Sequence, residues 1–349
     1  MRIAAISYPA LFQAIGGLQI QMLETIDAVR RAGHDMVLID PTRDKFSDFD
    51  LVHVFACVHG NYTIVRRAQD LGVPVVVSPL VRSYWTRSLG LKARWLGRLL
   101  GRLTGWNVAT EYSQMWRCLH WAEHCASLGP LETVALQDAF QVPASKITEV
   151  PNGISQRFFS ATPDASLAHY GLQPGYVLCV GSINPHKNQL GLARALQGSG
   201  LQLVLAGQCL TADEGYLKDV LALPYTRHLG ALRYDDPLLP SLYAGAGVMA
   251  LVSQSEVMPL VVLESLAAGV PAVMTRNHGM STQGMSACLS EVDPNDAAAI
   301  RAAIDQLLAH PPGAAHCRAA VKHLSWDEVA SQLVAIYRQA MTAGPRRTG

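Results

Sequence analysis

Two carboxylates, Glu256 and Glu264, stand eight positions apart in SEVMPLVVLESLAAGVPAV (residues 255–273), a segment that is otherwise almost entirely apolar. Acids near a helix start are ordinary, because they offset the unpaired N–H groups and the dipole there. Glu256 suits that plain reading better than Glu264. The stretch PLVVLESLAAGV offers a carboxylate little polar face, and burying one without a partner is costly. A hydroxyl-rich ligand would offset that cost. A cation joins the set: Lys187 lies in GSINPHKN, directly after the apolar run YVLCV. A compact ammonium there suits a leaving group that gains negative charge, although a solvated loop lysine is the plainer alternative.

Two further patterns invite other chemistry. HWAEH, residues 120–124, matches H-x-x-E-H, in which His120 and His124 would share one helical face around zinc and Glu123 would act beside it, as in a metalloprotease. Three fixed letters arise easily by chance, and EHCASLG reads as the start of a strand, which would end the helix the metal needs. GAGVMA, residues 245–250, imitates the dinucleotide fingerprint G-x-G-x-x-A. Its context is inverted, because LPSLYAGA reads as helix and VMALVS as strand, and no P-loop is present.

The elements that must position these groups follow from composition and periodicity. At 349 residues the chain exceeds the usual size of one core, so two domains of about 150–180 residues are expected. Hydrophobic residues make up 50% and charged residues 16%, as buried strands covered on both faces require. A formal net charge of +1 gives no general attraction to nucleic acid. Cysteines at 57, 118, 125, 179, 209, 288 and 317 form no CxxC pair and are odd in number, which fits reduced thiols and a cytoplasmic location. Residues 3–23 are uncharged, but Pro9, Gln13, Gly16, Gly17, Gln19 and Gln21 interrupt any signal-peptide core. No apolar run reaches the length of a membrane span. The C-terminal AGPRRTG alone reads as disordered.

RIAAIS, MVLID, LVHVF and VPVVVS recur as short buried strands between helical segments, the first helix carrying Leu18, Met22, Ile26 and Val29 on one stripe and stopping at Gly33. YVLCVGS, LQLVLAG, GVMALVS and PAVMT repeat the pattern in the second half. Both halves therefore read as doubly wound α/β domains with parallel sheets, facing one another across a cleft. The expected domains are 1–160 and 161–325, with the linker in the polar loop that ends at Pro174-Gly175. A terminal helix over 326–342, capped by Ser325 with Glu328 three residues on, is expected to pack back on the first domain.

With the elements in this order, the chain resembles the retaining glycosyltransferases of the two-Rossmann-domain (GT-B) type, family 4 or glycosyl transferases group 1. Seven pieces match in register over nearly the whole chain: the Gly16-Gly17 loop with RRAGHDMVLI, DLVHVF, VPNGI, VLCVGSINPHKN, LVLAG, LVSQSEVMPLVVLESLAAGVPAV and LSWDEVASQLVAIYRQ. The resemblance implies a hexosyltransferase that uses a UDP- or GDP-sugar as substrate, needs no metal or other cofactor, and passes the sugar with retention to an acceptor hydroxyl. It assigns Glu264 to the ribose hydroxyls and Glu256 to the donor sugar. Backbone N–H groups of Met258, Leu260 and Val261 would meet the diphosphate at a helix N-terminus, with Lys187 beside them. Pro259, lacking an N–H, suits the first turn. Gly16 and Gly17 would let backbone approach the diphosphate from across the cleft.

Two departures matter. The family usually has Arg where this chain has Ser182, so His186 or Arg276 is left to supply that charge, and a histidine often found after the fourth strand is replaced by Ser78-Pro79-Leu80. His59 then stands as the polar group beside the sugar, while His53 reads as a core residue. These departures keep open a degenerate protein that binds the nucleotide sugar without transferring it. Asp48-Phe49-Asp50 resembles the metal-binding D-x-D of the other glycosyltransferase fold, but it precedes a strand instead of ending one.

No acid occurs between Asp70 and Glu111, while Arg82, Arg87, Lys92, Arg94, Arg98 and Arg102 gather beside Trp85, Trp95 and Trp106. Two readings of residues 82–102 stand: a peripheral contact with an anionic membrane surface, which would make the acceptor a lipid-linked saccharide on the cytoplasmic face, or an ordinary helix with leucines inward and arginines outward.

Overall fold

The computed structural model describes residues 1–13, 16–82, 84–105 and 108–343; Trp106 and residues 344–349 of the C-terminal segment lie outside them. The first lobe holds strands β1 (Arg2–Ile6), β2 (Asp35–Leu38), β3 (Leu51–Phe55), β4 (Val75–Ser78), β5 (His124–Ser127) and β6 (Ile147–Glu149), in the order β2-β1-β3-β4-β5-β6. The second holds β7 (Tyr176–Val180), β8 (Leu203–Ala206), β9 (Thr226–His228), β10 (Ala246–Leu251), β11 (Ala272–Thr275) and β12 (Leu289–Val292), in the order β12-β11-β10-β7-β8-β9. Every pairing is parallel. Strands β3, β4, β5, β8 and β11 are buried at every position, as strands covered by helices on both faces must be.

Strand order reverses between β1 and β3 in the first sheet and between β7 and β10 in the second. In open parallel sheets such reversals open a crevice beyond the carboxyl ends of the strands, because the flanking helices leave in opposite directions. The loops after β7 and β10 carry Lys187 and Glu256, so topology alone aims both at one crevice.

The chain crosses between lobes at two adjacent points. Ile154 donates its N–H to the Leu324 carbonyl at 3.1 Å, and Ile154 and Ser325 form an isolated parallel bridge. Ile154 and Phe158 already belong to the second lobe's core, and the segment expected to be linker instead carries helices Gln156–Phe159 and Asp164–Tyr170. The crossing therefore sits at VPNGI. Ser325 Oγ accepts the Glu328 N–H at 3.2 Å, which starts the helix Trp326–Ala343. That helix returns to the first lobe and buries Trp326, Leu333 and Tyr337 in one cluster with Met22, Ile26 and Val29 of helix Gly17–Arg31.

At the crossing, backbone meets backbone. A Cβ added to Gly153 would lie 2.5 Å from the Trp326 nitrogen and 2.6 Å from its Cα, and no rotamer change relieves such an overlap. Gly153→Ala is expected to cost about 1–3 kcal/mol, typical of overpacking in a close-packed region. Thermal unfolding checks this: an unchanged midpoint would mean that the two crossing segments are not held together in solution.

The helix Arg87–Leu103 overturns the inward-leucine reading. Its fully buried residues are Gly90 and Gly101, whereas Leu89, Leu96, Leu99 and Leu103 are exposed. Gly90 lies flush against the end of helix Pro130–Asp138, where a Cβ would come within 2.3 Å of the Ala139 carbonyl oxygen. Only the glycine face fits that contact, so most of the leucines turn outward.

Candidate functional site

A cleft of about 950 Å³ separates the carboxyl ends of the two sheets. Tyr8, His59 and Arg82 line it from the first lobe, and Ser182, Lys187 and Glu256 from the second. A recess of about 150 Å³ shares Gly17, Ser182, Lys187 and Leu260 with the cleft and adds Gly16, Val261 and Glu264. All ten residues singled out from the sequence line one space or the other, Met258 on the cleft side.

Local geometry explains how Lys187 is held. Asn184 Oδ1 accepts the Lys187 N–H at 3.1 Å and caps the single turn Pro185–Lys187. Asn188 follows at φ 57° and donates its side-chain amide to the carbonyls of Val252 and Pro294 at 3.2 and 2.8 Å. The loop after β7 is thereby tied to those after β10 and β12. Lys187 Nζ meets Glu256 Oε1 at 2.6 Å, both side chains mostly shielded from water. The Glu256 N–H is taken by the Asn277 carbonyl at 2.8 Å. The two groups expected to serve sugar and diphosphate are thus each other's partners. Ser182 Oγ accepts from the Asn184 amide at 3.0 Å.

Pro259 caps the helix Leu260–Ala268. As first-turn residues, Leu260 and Val261 have no intrahelical acceptor for their N–H groups, which point to where an anion is favoured. The loop before them is anchored on the crossing: Asn152 donates its N–H to Met258 Sδ at 3.1 Å and its amide to the Met258 carbonyl at 3.3 Å. Gly16 and Gly17 have open space where a Cβ would go, and Gly16 is extended at φ −160°. Among the described residues no contact explains two glycines there.

Glu264 is 3% exposed. Its Oε2 accepts the Tyr243 hydroxyl at 2.9 Å, and its Oε1 has no hydrogen-bond partner among the described residues. Burial pushes its carboxyl up to about 7, opposed by the Tyr243 hydroxyl and the Arg157 guanidinium and reinforced by Glu24. Arg157 lies over the Tyr234 ring at 4.4 Å and donates to the Tyr234 carbonyl. Glu24 comes from the first lobe's helix Gly17–Arg31, and burial raises its carboxyl too. Tyr243, Arg157, Tyr234 and Glu24 escaped the sequence reading. Tyr243 reads as an ordinary core aromatic, and the others lie far from Glu264 in the chain.

The first-lobe wall carries backbone strain. Ala56, His59 and Leu80 adopt left-handed conformations at φ 71°, 54° and 57°, which cost energy in residues with a Cβ and gather at functional sites. His59 is exposed, its ring edge-on to Tyr8 at 4.6 Å. His53 is a core residue: Nδ1 meets the Tyr337 hydroxyl at 2.7 Å, Nε2 meets Ser78 Oγ at 2.9 Å, and burial lowers its imidazole to about 3. Another carboxylate, Glu132, was not legible. Fully buried, it accepts the Val81 N–H at 2.5 Å and the Leu128 N–H at 2.6 Å. Burial raises it to about 7 against those N–H groups, and it pins two loops that reach the cleft.

The competing patterns fail on geometry. The helix Glu111–Trp121 ends before Glu123, and His124 opens β5. His120 bonds the Trp116 carbonyl, Glu123 accepts the Val75 N–H, and His124 meets Thr148. The three zinc-protease letters therefore share no helical face, and among the described residues no cluster of three or more His, Cys, Asp or Glu could hold a metal. Asp50 accepts the Arg2 N–H at 2.7 Å at the amino end of β3, away from the cleft. GAGVMA runs from helix Leu238–Gly245 into β10. Of the two residues offered in place of the family's arginine, His186 lines the cleft, but Arg276 is paired with Asp293 at 2.6 Å. All seven cysteines are free thiols.

Residues 170–324 match the sequence profile of the family Glycosyl transferases group 1. O-antigen chain mannosyltransferase B of Escherichia coli is 29% identical over 221 residues, 57% of this chain and 56% of that protein. The GDP-mannose-dependent alpha-(1-6)-phosphatidylinositol monomannoside mannosyltransferase of Mycolicibacterium smegmatis is 29% identical over 210 residues, 53% of each chain. The chain spans about half the length of these curated relatives. Sucrose-phosphate synthase from Thermosynechococcus elongatus superposes with a TM-score of 0.71 over 98% of this chain and all of its own, at 18% identity, which shows a shared fold.

Proposed function

With a glycosyl transferases group 1 domain at residues 170–324, set in the two-lobed GT-B architecture, we propose that this protein transfers a hexose from a UDP- or GDP-sugar to an acceptor hydroxyl. The proposal includes retention at the anomeric carbon, no requirement for metal, and a lipid-linked saccharide of polysaccharide assembly as acceptor. The observation that carries it is Glu264, a buried carboxyl with one unbonded oxygen on a recess that adjoins Lys187 and a helix N-terminus. Ribose hydroxyls are the donors that such an oxygen lacks. Because Oε1 is sealed from solvent, their arrival requires a small movement of the recess walls.

In this reading the leaving diphosphate lies against the N–H groups of Leu260 and Val261 and against Lys187, which together offset the charge that grows as the anomeric carbon–oxygen bond breaks. The acceptor oxygen bonds that carbon on the face the diphosphate leaves, and its proton passes to the departing diphosphate oxygen. Diphosphate competes with Glu256 for Lys187, which frees the Glu256 carboxylate toward sugar hydroxyls. His59 stands beside the sugar on the opposite wall. Gly16 and Gly17 admit the diphosphate where side chains would intrude. The two mannosyltransferase relatives make GDP-mannose the first donor to try.

Thermal unfolding with a panel of UDP- and GDP-hexoses, followed by detection of free nucleotide, tests the reading. A matching donor must raise the midpoint, since ligand that binds only the folded state stabilises it, and acceptor must release nucleotide. Stabilisation without release would instead favour the binding-only protein that the neutral Ser182 allows. Absence of any shift across the panel would remove the assignment.

A further inference from the structure

The helix Arg87–Leu103 exposes apolar surface that no other described residue covers: Trp95 is 67% exposed, Leu96 47% and Leu103 74%. Leu89, Leu96 and Leu103 repeat at seven-residue spacing along one flank, and Arg94, Arg98 and Arg102 at four-residue spacing along the other. None of the helix's cations takes part in the ion pairs of the described residues, and no acid lies between Asp70 and Glu111 to neutralise them. Among the described residues no helix is long and apolar enough to cross a membrane. An amphipathic helix with leucines on one flank, arginines on the other and the exposed Trp95 between them on the arginine side fits the plane of a bilayer surface.

A second observation points to the same partner. Between this helix and the helix Glu111–Trp121 lies a pocket of about 270 Å³, lined by Arg94, Arg98 and Arg117 over Tyr112 and Trp116. The Trp116 indole N–H beneath it is buried and has no acceptor among the described residues. Arg94 reaches the Gln141 side chain and Arg117 lies over the Tyr62 ring at 5.7 Å, so two of the three guanidiniums are already oriented. A pocket whose charged and unpaired groups are all donors calls for anionic oxygen.

We propose that the helix Arg87–Leu103 docks on an anionic phospholipid bilayer, its leucine flank entering the headgroup boundary while Arg94, Arg98 and Arg117 hold a lipid phosphate. Charge complementarity together with exposed leucines selects a lipid surface over a soluble polyanion, which would leave the leucines uncovered. The site lies outside the transfer cleft and stands whether or not the sugar chemistry is as proposed.

Sedimentation of the full chain with vesicles of phosphatidylcholine mixed with phosphatidylglycerol, against phosphatidylcholine alone, tests it. Binding is expected to be at least about tenfold tighter on the anionic vesicles and to weaken in high salt, with a blue shift of tryptophan emission that Trp95→Phe diminishes. Arg98→Glu and the pair Leu99→Ser with Leu103→Ser, all at exposed positions, should each abolish vesicle binding and leave the thermal midpoint unchanged. Equal binding to neutral vesicles, saturation by glycerol phosphate without vesicle binding, or a dimer in solution that Leu103→Ser dissolves would overturn the proposal.

Discussion

Lys187→Ala is expected to lower the rate of hexose transfer on the order of a hundredfold, the usual consequence of removing one preorganised group from a developing anion. Lys187 is fixed by the Asn184 cap and lies in the wall shared by cleft and recess. Its loss also strands Glu256, whose carboxylate it pairs at 2.6 Å in a largely shielded position. The single variant therefore mixes a catalytic effect with an unpaired buried charge. Glu256→Gln and the double variant separate the two. If the pair acts as one unit, the double variant loses little more activity than either single one, because effects within a unit are not additive, while its thermal midpoint recovers relative to Lys187→Ala. Single-turnover rates at saturating donor give the readout. Wild-type turnover in Lys187→Ala would end the role assigned to the cation.

Glu264→Gln is expected to weaken donor affinity by about tenfold to a hundredfold at pH 8, the range for hydrogen bonds to a charged acceptor, and to stabilise the empty protein at the same pH. The sign follows from burial. The folded carboxyl sits at about 7 against an ordinary value of 4.5, so the fold favours its neutral form. Stability linked to that group is complete below the ordinary value and is lost as pH rises through the interval up to about 7. Wild type and variant should therefore share a midpoint near pH 4 and diverge by pH 8, the variant being higher. Donor affinity runs the other way, since ribose hydroxyls prefer the ionised acceptor: it rises through about pH 7 in the wild type and stays flat in the variant. Glu132, also raised to about 7, is common to both proteins and cancels in the difference. Parallel pH profiles for the two proteins would exclude Glu264 as the titrating contact.

Chemistry and core were not equally legible. Lys187 could be placed from sequence because it follows an apolar strand, and loops after parallel strands face the crevice; the places given to Glu256 and Ser182 beside the donor came from the family resemblance. What sets Glu264's character could not be placed: Tyr243 comes from a neighbouring helix, Arg157 from the crossing and Glu24 from the other lobe. The strands TRH and LSEV (β9 and β12) went unread because they sit at sheet edges, where little apolar sequence is needed. The zinc pattern had the right letters, but the chain leaves its helix at Trp121.

The order of most strands and helices, the two-lobed division and the loops that carry the polar groups were legible in local sequence, since periodicity and turn residues act over a few positions at a time. Contacts between distant segments were settled only in three dimensions. Gly153 seats against Trp326, Glu264 shares its surroundings with the opposite lobe, and Gly90 seats on Ala139 so that a row of leucines faces outward. Each of these depends on two surfaces separated by many residues fitting at van der Waals distance, and no pattern along one segment encodes the shape of the other.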